Sequence, residues 1–137
     1  MKLSVLGTLG SLILLCSSLL AARKPQTIEV VSQVVYQQPR VSVFANSLHY
    51  RDLPMINYWT IIVLNKENWD EAVLKYKANT VTAFTLPHLD QTFLNGPWLQ
   101  KAGDWEAKHT IAHEAGHLIC KCNGENEANK VADKLLK

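Results

Sequence analysis

The chain has 137 residues, of which 47% are hydrophobic and 19% charged, and its formal net charge at pH 7 is +2. This length suits one domain, and the composition is that of a globular protein rather than a disordered chain. The small net charge and the lack of a basic patch interleaved with aromatic residues argue against nucleic acid as a partner. The sequence has no glycine-rich phosphate loop and no internal repeat, so nucleotide-binding loops and repeat architectures have no support.

Residues 1–22 have the pattern of a signal peptide. A positive start at Met1-Lys2 precedes an apolar stretch that reaches Cys16, and small residues lead to a cleavage site after Ala22. We therefore expect a secreted or periplasmic protein. The alternative is an uncleaved, outward-facing membrane anchor, which is disfavoured because Ser, Thr and Gly interrupt the apolar stretch.

Residues 23–57 form an N-terminal extension whose role the sequence leaves open. They could be a pro-segment that blocks a cleft, a linker from an anchor, or an extra strand. Residues 27–36 are rich in valine and fit either a strand or an amphipathic helix. Residues 41–45 alternate between polar and apolar side chains, which predicts a strand.

The elements after residue 57 predict an α+β domain. Periodicity and turn signals give strands at 58–64, 81–86 and 91–94, and helices at 67–76, 105–123 and 125–136. Asn95-Gly96-Pro97 is predicted to be a turn, Asp104 an N-cap, and Gly124 a left-handed residue that ends the long helix. We expect residues 58–137 to form a minimal zincin-like domain, in which a small mixed sheet packs on a motif-bearing helix and a C-terminal helix carrying a glutamate.

The long helix carries the motif His113-Glu114-Ala115-Gly116-His117. Residues four apart share a helix face, so His113 and His117 can bind one ion. Zinc suits this pair, because it takes imidazole nitrogen at ~2.0–2.1 Å in a tetrahedral site. Glu114 lies near enough to hold a water molecule without ligating the ion. The alternative is a solvated helix face, but the apolar flanks predict a buried helix, where unpaired histidines would be costly.

Gly116 lies in the interior of this predicted helix. Glycine there costs ~1 kcal/mol relative to alanine, so a glycine without a purpose is disfavoured. The missing side chain would let another strand or a substrate approach closely, and we interpret it in that way.

A catalytic zinc usually has three protein ligands, and the last helix offers the third. Glu125, Asn129 and Asp133 recur at four-residue intervals and share one face. This periodicity favours Glu125 as the ligand, with Asn129 one turn further on, where it can hydrogen-bond a ligating histidine. Asp133 is the next candidate, and Glu127 points well away from this face.

The remaining histidines are weaker candidates. His109 continues the four-residue series. However, His109 and His117 are eight residues apart, which places them ~12 Å apart along a helix axis, too far to share an ion. His49 has no supporting pattern, and His88 could line the cleft and assist the oxyanion.

Cys120 and Cys122 are separated by one residue, and a disulfide between them would be strained. We expect free thiols or bonds to a partner chain. A metal role is the weaker alternative.

Two segments resemble the gluzincin class of metallopeptidases. Glu125-Asn126-Glu127-Ala128-Asn129 resembles the closing Glu-x-x-Ala-Asp or Glu-x-x-Ala-Asn pattern of two groups. The first is the HtpX-like and CAAX-prenyl proteases with their minigluzincin relatives, and the second is the ImmA/IrrE-like peptidases. Thr82-Ala83-Phe84-Thr85-Leu86-Pro87 resembles the Asn-Ala-Phe-Ala-Leu-Pro edge strand of the HtpX-like group. This resemblance covers residues 58–137 and implies that Ala83, Phe84 and Thr85 bind an extended substrate.

These patterns together predict a small exported zinc endopeptidase that binds one zinc ion. His113, His117 and Glu125 would hold the ion, and Glu114 would act as general base toward a water molecule. The substrate would be a protein or peptide, and the membrane would be a partner only if residues 1–22 are uncleaved. The alternatives are a noncatalytic zinc-binding interaction module and a zinc amidase or peptidase acting on cell-wall peptides.

Overall fold

The computed structural model describes residues 27–137, so the predicted signal peptide at 1–22 lies outside the described residues. The described part of the chain contains no helix with both the length and the apolar character needed to cross a bilayer. It has a mixed α+β fold, as the sequence predicted. In chain order the elements are β1 (Thr27–Ser32), α1 (Gln37–Asn46), β2 (Tyr58–Leu64), α2 (Lys66–Tyr76), β3 (Ala83–Leu86), a 3₁₀ turn (Pro87–Leu89), β4 (Gln91–Asn95), α3 (Gly96–Lys101), α4 (Asp104–Cys120) and α5 (Glu125–Leu135).

The four strands form one mixed sheet in the order β1-β2-β4-β3. β1 and β4 run parallel to β2, which lies between them, whereas β3 is antiparallel to β4. Within residues 27–137, β3 pairs with no strand other than β4, so it forms one edge of the sheet. Helices cover both faces, which accounts for the nearly continuous apolar run of β2.

Alternate residues of β2 contribute to two separate cores. The larger core lies between the sheet and helices α1, α4 and α5, and its members include Trp59, Ile61, Val63, Leu94, Ile111 and Leu118. The smaller core lies between the other face and α2, and its buried members are Leu64, Trp69, Ala72 and Phe93. Helix α4 therefore packs against the face of the sheet that borders the larger core.

The described part of the N-terminal extension, residues 27–57, shares the sheet and the core with the rest of the domain. β1 pairs with β2 from Thr27↔Tyr58 to Ser32↔Val63, so this segment contains the extra strand that the sequence left as one of three options. The strand predicted at 41–45 is wrong, because these residues lie in α1. Val41 and Ala45, four residues apart, are buried on one helical face, whereas Val43 is exposed.

Helix α1 is also joined to the following helices by Arg40. Its guanidinium donates to the carbonyl oxygens of Leu99 and Ala102, each at 2.7 Å, and to Oδ1 of Asp104 at 3.0 Å. One carbonyl in the last turn of α3 and the carbonyl of the residue that follows α3 thus find a donor in a segment that the sequence placed outside the domain.

The turn predicted at 95–97 is wrong, because α3 begins there. Oδ1 of Asn95 accepts a hydrogen bond from the backbone N–H of Trp98, so Asn95 is an N-cap. Pro97 lies in the first helical turn, where its missing N–H is not needed. Residues typical of turns are also those that begin helices, and here the helix forms.

Both predicted ends of the motif helix shift. The N-cap is Gly103 rather than Asp104, and the left-handed residue at the other end is Lys121 (φ 50°) rather than Gly124. Gly124 has φ −72° and precedes α5 as its N-cap. The N–H groups of Lys121 and Cys122 bond to the carbonyls of Leu118 and His117, each at 3.3 Å, which ends the helix early and turns the chain at once toward α5.

Gly116 permits the close contact of α4 with α5. A β-carbon at this position would collide with the carbonyl oxygen of Ala128 and lie 3.1 Å from its carbonyl carbon. The predicted close approach is therefore that of a helix, not of a strand or a substrate. It brings the first turn of α5 beside the motif histidines.

We expect Gly116→Ala to lower the free energy of unfolding by about 1–3 kcal/mol, the usual cost of overpacking. The added methyl group meets backbone atoms of Ala128, which cannot move as a flexible side chain could. Urea unfolding followed by circular dichroism measures the change. Gly103→Ala is the control, because a β-carbon there meets nothing within 4 Å. A Gly116→Ala protein as stable as the wild type would contradict this account of the helix contact.

Candidate metal centre

Two helices bring three potential metal ligands together. His113 and His117 lie one turn apart on α4, and Glu125 is the first residue of α5. Only residues 121–124 connect the helices, and the left-handed Lys121 reverses the chain within that span. The spacing of seven residues between His117 and Glu125 is therefore long enough to return the carboxylate to the histidine pair.

The donor atoms of the three side chains face one another. His113 Nε2 lies 3.1 Å from His117 Nε2 and 2.8 Å from Oε2 of Glu125, and His117 Nε2 lies 3.4 Å from Oε1 of Glu125. Tetrahedral coordination with bonds of ~2.0–2.1 Å separates neighbouring donors by ~3.3 Å, close to these distances. The group can hold a metal ion. Within residues 27–137 it is the one such group of three, and Glu127, Asp133, His49 and His109 are outside it.

Hydrogen bonds orient both imidazole rings. Nδ1 of His113 lies 2.7 Å from Oδ1 of Asn129, and Nδ1 of His117 lies 2.9 Å from the carbonyl oxygen of Cys122. Each partner atom is an acceptor, so each Nδ1 donates its proton, and a neutral ring then offers the lone pair of Nε2 to an ion. Asn129 thus occupies the orienting position that the periodicity of α5 predicted, whereas the carbonyl of Cys122 was not foreseen.

Glu114 is a buried carboxylate at the floor of the site. Only 4% of the residue is exposed. Burial raises the pKa of its carboxyl group above the ordinary value, while the hydrogen bond from Thr85 acts in the opposite direction. Thr85 Oγ1 donates to Oε2 at 2.5 Å. Within the described residues Oε1 has no hydrogen-bond partner, and no buried side-chain oxygen is left without one, so Oε1 reaches the surface of the cleft.

A cleft of about 490 Å³ opens beside the donor atoms. Its walls are α4, the N-terminus of α5, strand β3 and the loop that precedes β3. The lining residues are Lys77, Ala78, Asn79, Thr80, Thr82, Ala83, Phe84, Thr85, His113, Glu114, His117, Asn123 and Glu125. His88, the sequence candidate for assisting an oxyanion, lies instead in a neighbouring depression with Pro87, Lys121 and Asn123.

The predicted substrate-binding residues Ala83, Phe84 and Thr85 line the cleft, but their side chains are already engaged. Ala83 is buried in the larger core. The ring of Phe84 stacks on that of Phe93 at 5.0 Å on the opposite face of the sheet. Thr85 is bonded to Glu114. Contact between these residues and a substrate would therefore involve their main chain.

Some main-chain groups at the edge of β3, which borders the cleft, have no hydrogen-bond partner within residues 27–137. The N–H of Asn95 donates to the carbonyl of Thr82 at 2.8 Å, so the main chain of Asn95 points toward β3. Alternation along an antiparallel pair then directs the N–H and C=O groups of Phe84 toward β4, and those of Ala83 and Thr85 outward. This free edge lies across the cleft from the histidine pair.

Cys120 and Cys122 form a disulfide, so the expectation of free thiols or bonds to a partner chain is wrong. The helix ends at Cys120 and the left-handed Lys121 turns the chain, so the two Cα atoms are 5.2 Å apart, within the usual range of ~4.4–6.8 Å. Both sulfurs are used in this bond and neither belongs to the donor group. The bond fixes the residue whose carbonyl orients His117.

His109 lies two turns before His117 and stacks on Trp105, with ring centroids 3.9 Å apart. It takes no part in the donor group, in agreement with the axial distance along the helix.

Comparisons of the chain with protein-family models, curated proteins and solved structures found no match. Membership of the gluzincins stays a prediction based on the motif and on the edge strand. The function of the chain is accordingly inferred from the geometry of the site.

We expect the protein to bind one divalent transition-metal ion per chain. Glu125→Ala should weaken binding by more than about 100-fold, which is a greater loss than is typical when a residue that only hydrogen-bonds to a metal ligand is removed. Titration with Co²⁺, whose absorption spectrum reports tetrahedral coordination, measures the affinity. Glu127→Ala removes the same charge from the same helical turn and should bind as the wild type does. Normal binding by Glu125→Ala with loss in Asp133→Ala would assign the third ligand to Asp133.

Asn129→Ala should weaken metal binding by about 10–100-fold, because the His113 ring loses the acceptor that fixes its orientation. Asn129→Asp keeps an acceptor oxygen and should bind more tightly than Asn129→Ala. The same Co²⁺ titration measures both variants. Equal affinities for the wild type and Asn129→Ala would show that this hydrogen bond does not support the site.

Proposed function

We propose that this protein is a small exported zinc endopeptidase. The observation that carries the proposal is the placement of Glu114. Its carboxylate opens into the same cleft as the donor atoms of His113, His117 and Glu125, and the free edge of β3 forms the opposite wall. A noncatalytic metal site would need neither a buried carboxylate beside it nor an open cleft.

The chemistry of the donor group suits zinc. Two imidazoles and one carboxylate form a ligand set found in catalytic zinc sites, and three protein ligands leave one position open. Glu125 is 71% exposed, so the group opens toward solvent rather than being sealed as a structural site would be. When bound, zinc lowers the pKa of a water ligand toward ~7 and polarises a carbonyl group.

Glu114 is the proposed general base and acid. Its Oε1 faces the cleft, while Oε2 is held by Thr85, so the carboxylate presents one oxygen to the attacking water. Glu114 accepts a proton from that water as the nucleophile attacks the scissile carbonyl. It then donates the proton to the amine leaving group.

The edge strand β3 is the proposed binding surface for the substrate backbone. The outward main-chain groups of Ala83 and Thr85 can pair with an extended peptide by strand addition, which places a peptide bond over the cleft. Main-chain pairing makes few demands on side chains, so we expect weak sequence selectivity. It favours an unfolded or flexible protein as the substrate.

The proposed location outside the cytoplasm has two supports. Residues 1–22 have the pattern of an export signal, and Cys120 and Cys122 form a disulfide, which persists in oxidising compartments.

We expect zinc-loaded protein lacking residues 1–22 to cleave casein, and Glu114→Gln to lower kcat by at least about 10²–10⁴-fold while keeping one zinc per chain. The amide of glutamine preserves the shape of the side chain but cannot accept the proton. Mass spectrometry of the fragments and elemental analysis of each protein measure the two effects. Glu127→Gln, outside the donor group, is the matched control and should cleave casein normally.

Three outcomes would contradict the proposal in different ways. A wild type that binds zinc but cleaves no peptide bond would favour a noncatalytic zinc-binding module. Cleavage of peptidoglycan stem peptides alone would favour an enzyme of cell-wall peptides. Full activity in Glu114→Gln would remove Glu114 from the chemistry.

A further inference from the structure

A row of hydrogen bonds connects the sheet to Glu114. Trp59 Nε1 donates to Thr92 Oγ1 at 2.9 Å, Thr92 Oγ1 lies 2.8 Å from Thr85 Oγ1, and Thr85 Oγ1 donates to Glu114 Oε2 at 2.5 Å. The four residues come from β2, β4, β3 and α4 in that order. Trp59 is fully buried and Thr92 is 1% exposed, so the row runs through the protein interior.

The groups at the two ends of the row together fix the direction of its bonds. An indole N–H can only donate, so Thr92 Oγ1 accepts from Trp59. An ionised carboxylate can only accept, so Thr85 gives its single hydroxyl hydrogen to Glu114. Thr85 Oγ1 then accepts from Thr92, which has its own hydroxyl hydrogen free for this bond. Each group donates toward the carboxylate, and Oε2 accepts. Such an arrangement suits an ionised Glu114 and fixes the rotation of its carboxylate group.

The register of the sheet creates this row. Thr85 lies directly opposite Thr92 in the antiparallel pair of β3 and β4. The alternation described above makes this a non-hydrogen-bonded pair, in which side chains approach most closely. Thr92 lies opposite Ile61, the second residue after Trp59 on the same face of β2. A shift of one residue in either pairing would turn the hydroxyl away from Glu114.

We propose that Trp59, Thr92 and Thr85 are positioning residues that hold the Glu114 carboxylate in the orientation required for catalysis. This inference rests on the proposed function. Thr85 keeps Oε2 occupied, so that Oε1 is the oxygen presented to the cleft. Thr92 and Trp59 act through Thr85, by keeping its hydroxyl hydrogen directed at Glu114 rather than at the sheet.

The alternative role of the row is only to satisfy buried polar groups. Every buried side-chain N or O atom within residues 27–137 has a partner, so the hydroxyls also serve this purpose. Valine substitutions separate the two roles, because valine keeps the shape of threonine but has no hydroxyl. A purely structural role would change stability and leave kcat in the folded protein unaltered.

The first experiment compares Thr85→Val with Thr85→Ser in casein cleavage. We expect Thr85→Val to lower kcat by about 10–100-fold, the effect of one hydrogen bond to a charged group, with KM changed little. Thr85→Ser should recover most of the loss because it restores the hydroxyl. Thr92→Val should act in the same direction and Thr92→Ser should recover it. Zinc content and thermal unfolding confirm that each variant is folded and loaded.

The second experiment needs neither metal nor activity. In ¹⁵N-labelled metal-free protein, Glu114→Gln should shift the indole N–H resonance of Trp59, because the change at the acceptor is transmitted through two hydroxyls. Glu127→Gln should leave this resonance in place. No shift in Glu114→Gln would show that the row is not continuous.

The outcomes keep this inference apart from the proposed function. A normal kcat in folded, zinc-loaded Thr85→Val, in a protein whose Glu114→Gln variant is inactive, would overturn the positioning role and leave the peptidase intact. A wild type without activity would overturn both.

Discussion

The close contact between α4 and α5 determines the geometry of the candidate site. Gly116 lets the backbone of Ala128 approach the motif helix, and the left-handed Lys121 turns the chain within a few residues. As a result the carboxylate of Glu125 returns to the two imidazoles of α4. The larger core supports this pair of helices from the sheet side, so the ligands are carried on rigid elements rather than on a loop.

Glu114 connects this helical half of the site to the sheet. A carboxylate that is 4% exposed would be costly in an apolar interior, and here a hydroxyl of β3 hydrogen-bonds to one of its oxygens. The same strand turns the main chain of Ala83 and Thr85 outward to the cleft. β3 therefore contributes twice to the proposed site, because one of its side chains bonds to the proposed general base and its backbone forms the wall along which we propose that a peptide lies.

Local patterns predicted what depends on local geometry. The offsets in the motif put His113 and His117 on one face, and the four-residue series in α5 placed Glu125 and Asn129 beside them. The alternation at 41–45 led to a wrong prediction of a strand, because Val41 and Ala45 are also four residues apart, which places both on the buried face of a helix. Sequence could not reveal Thr92 or Trp59 near the site, since their roles depend on the register between distant strands.

The two imidazole rings differ from the third donor in how firmly they are held. Nδ1 of each ring is tied to an acceptor, and Cys122, which supplies one of these acceptors, is itself covalently bonded to Cys120. Glu125, in contrast, is 71% exposed. Uptake of an ion thus costs rotational freedom mainly at one carboxylate, while the nitrogen donors lose almost none. Ions that form strong bonds to nitrogen benefit most from this asymmetry, whereas ions that prefer oxygen would find a single oxygen ligand, and that ligand is exposed to solvent.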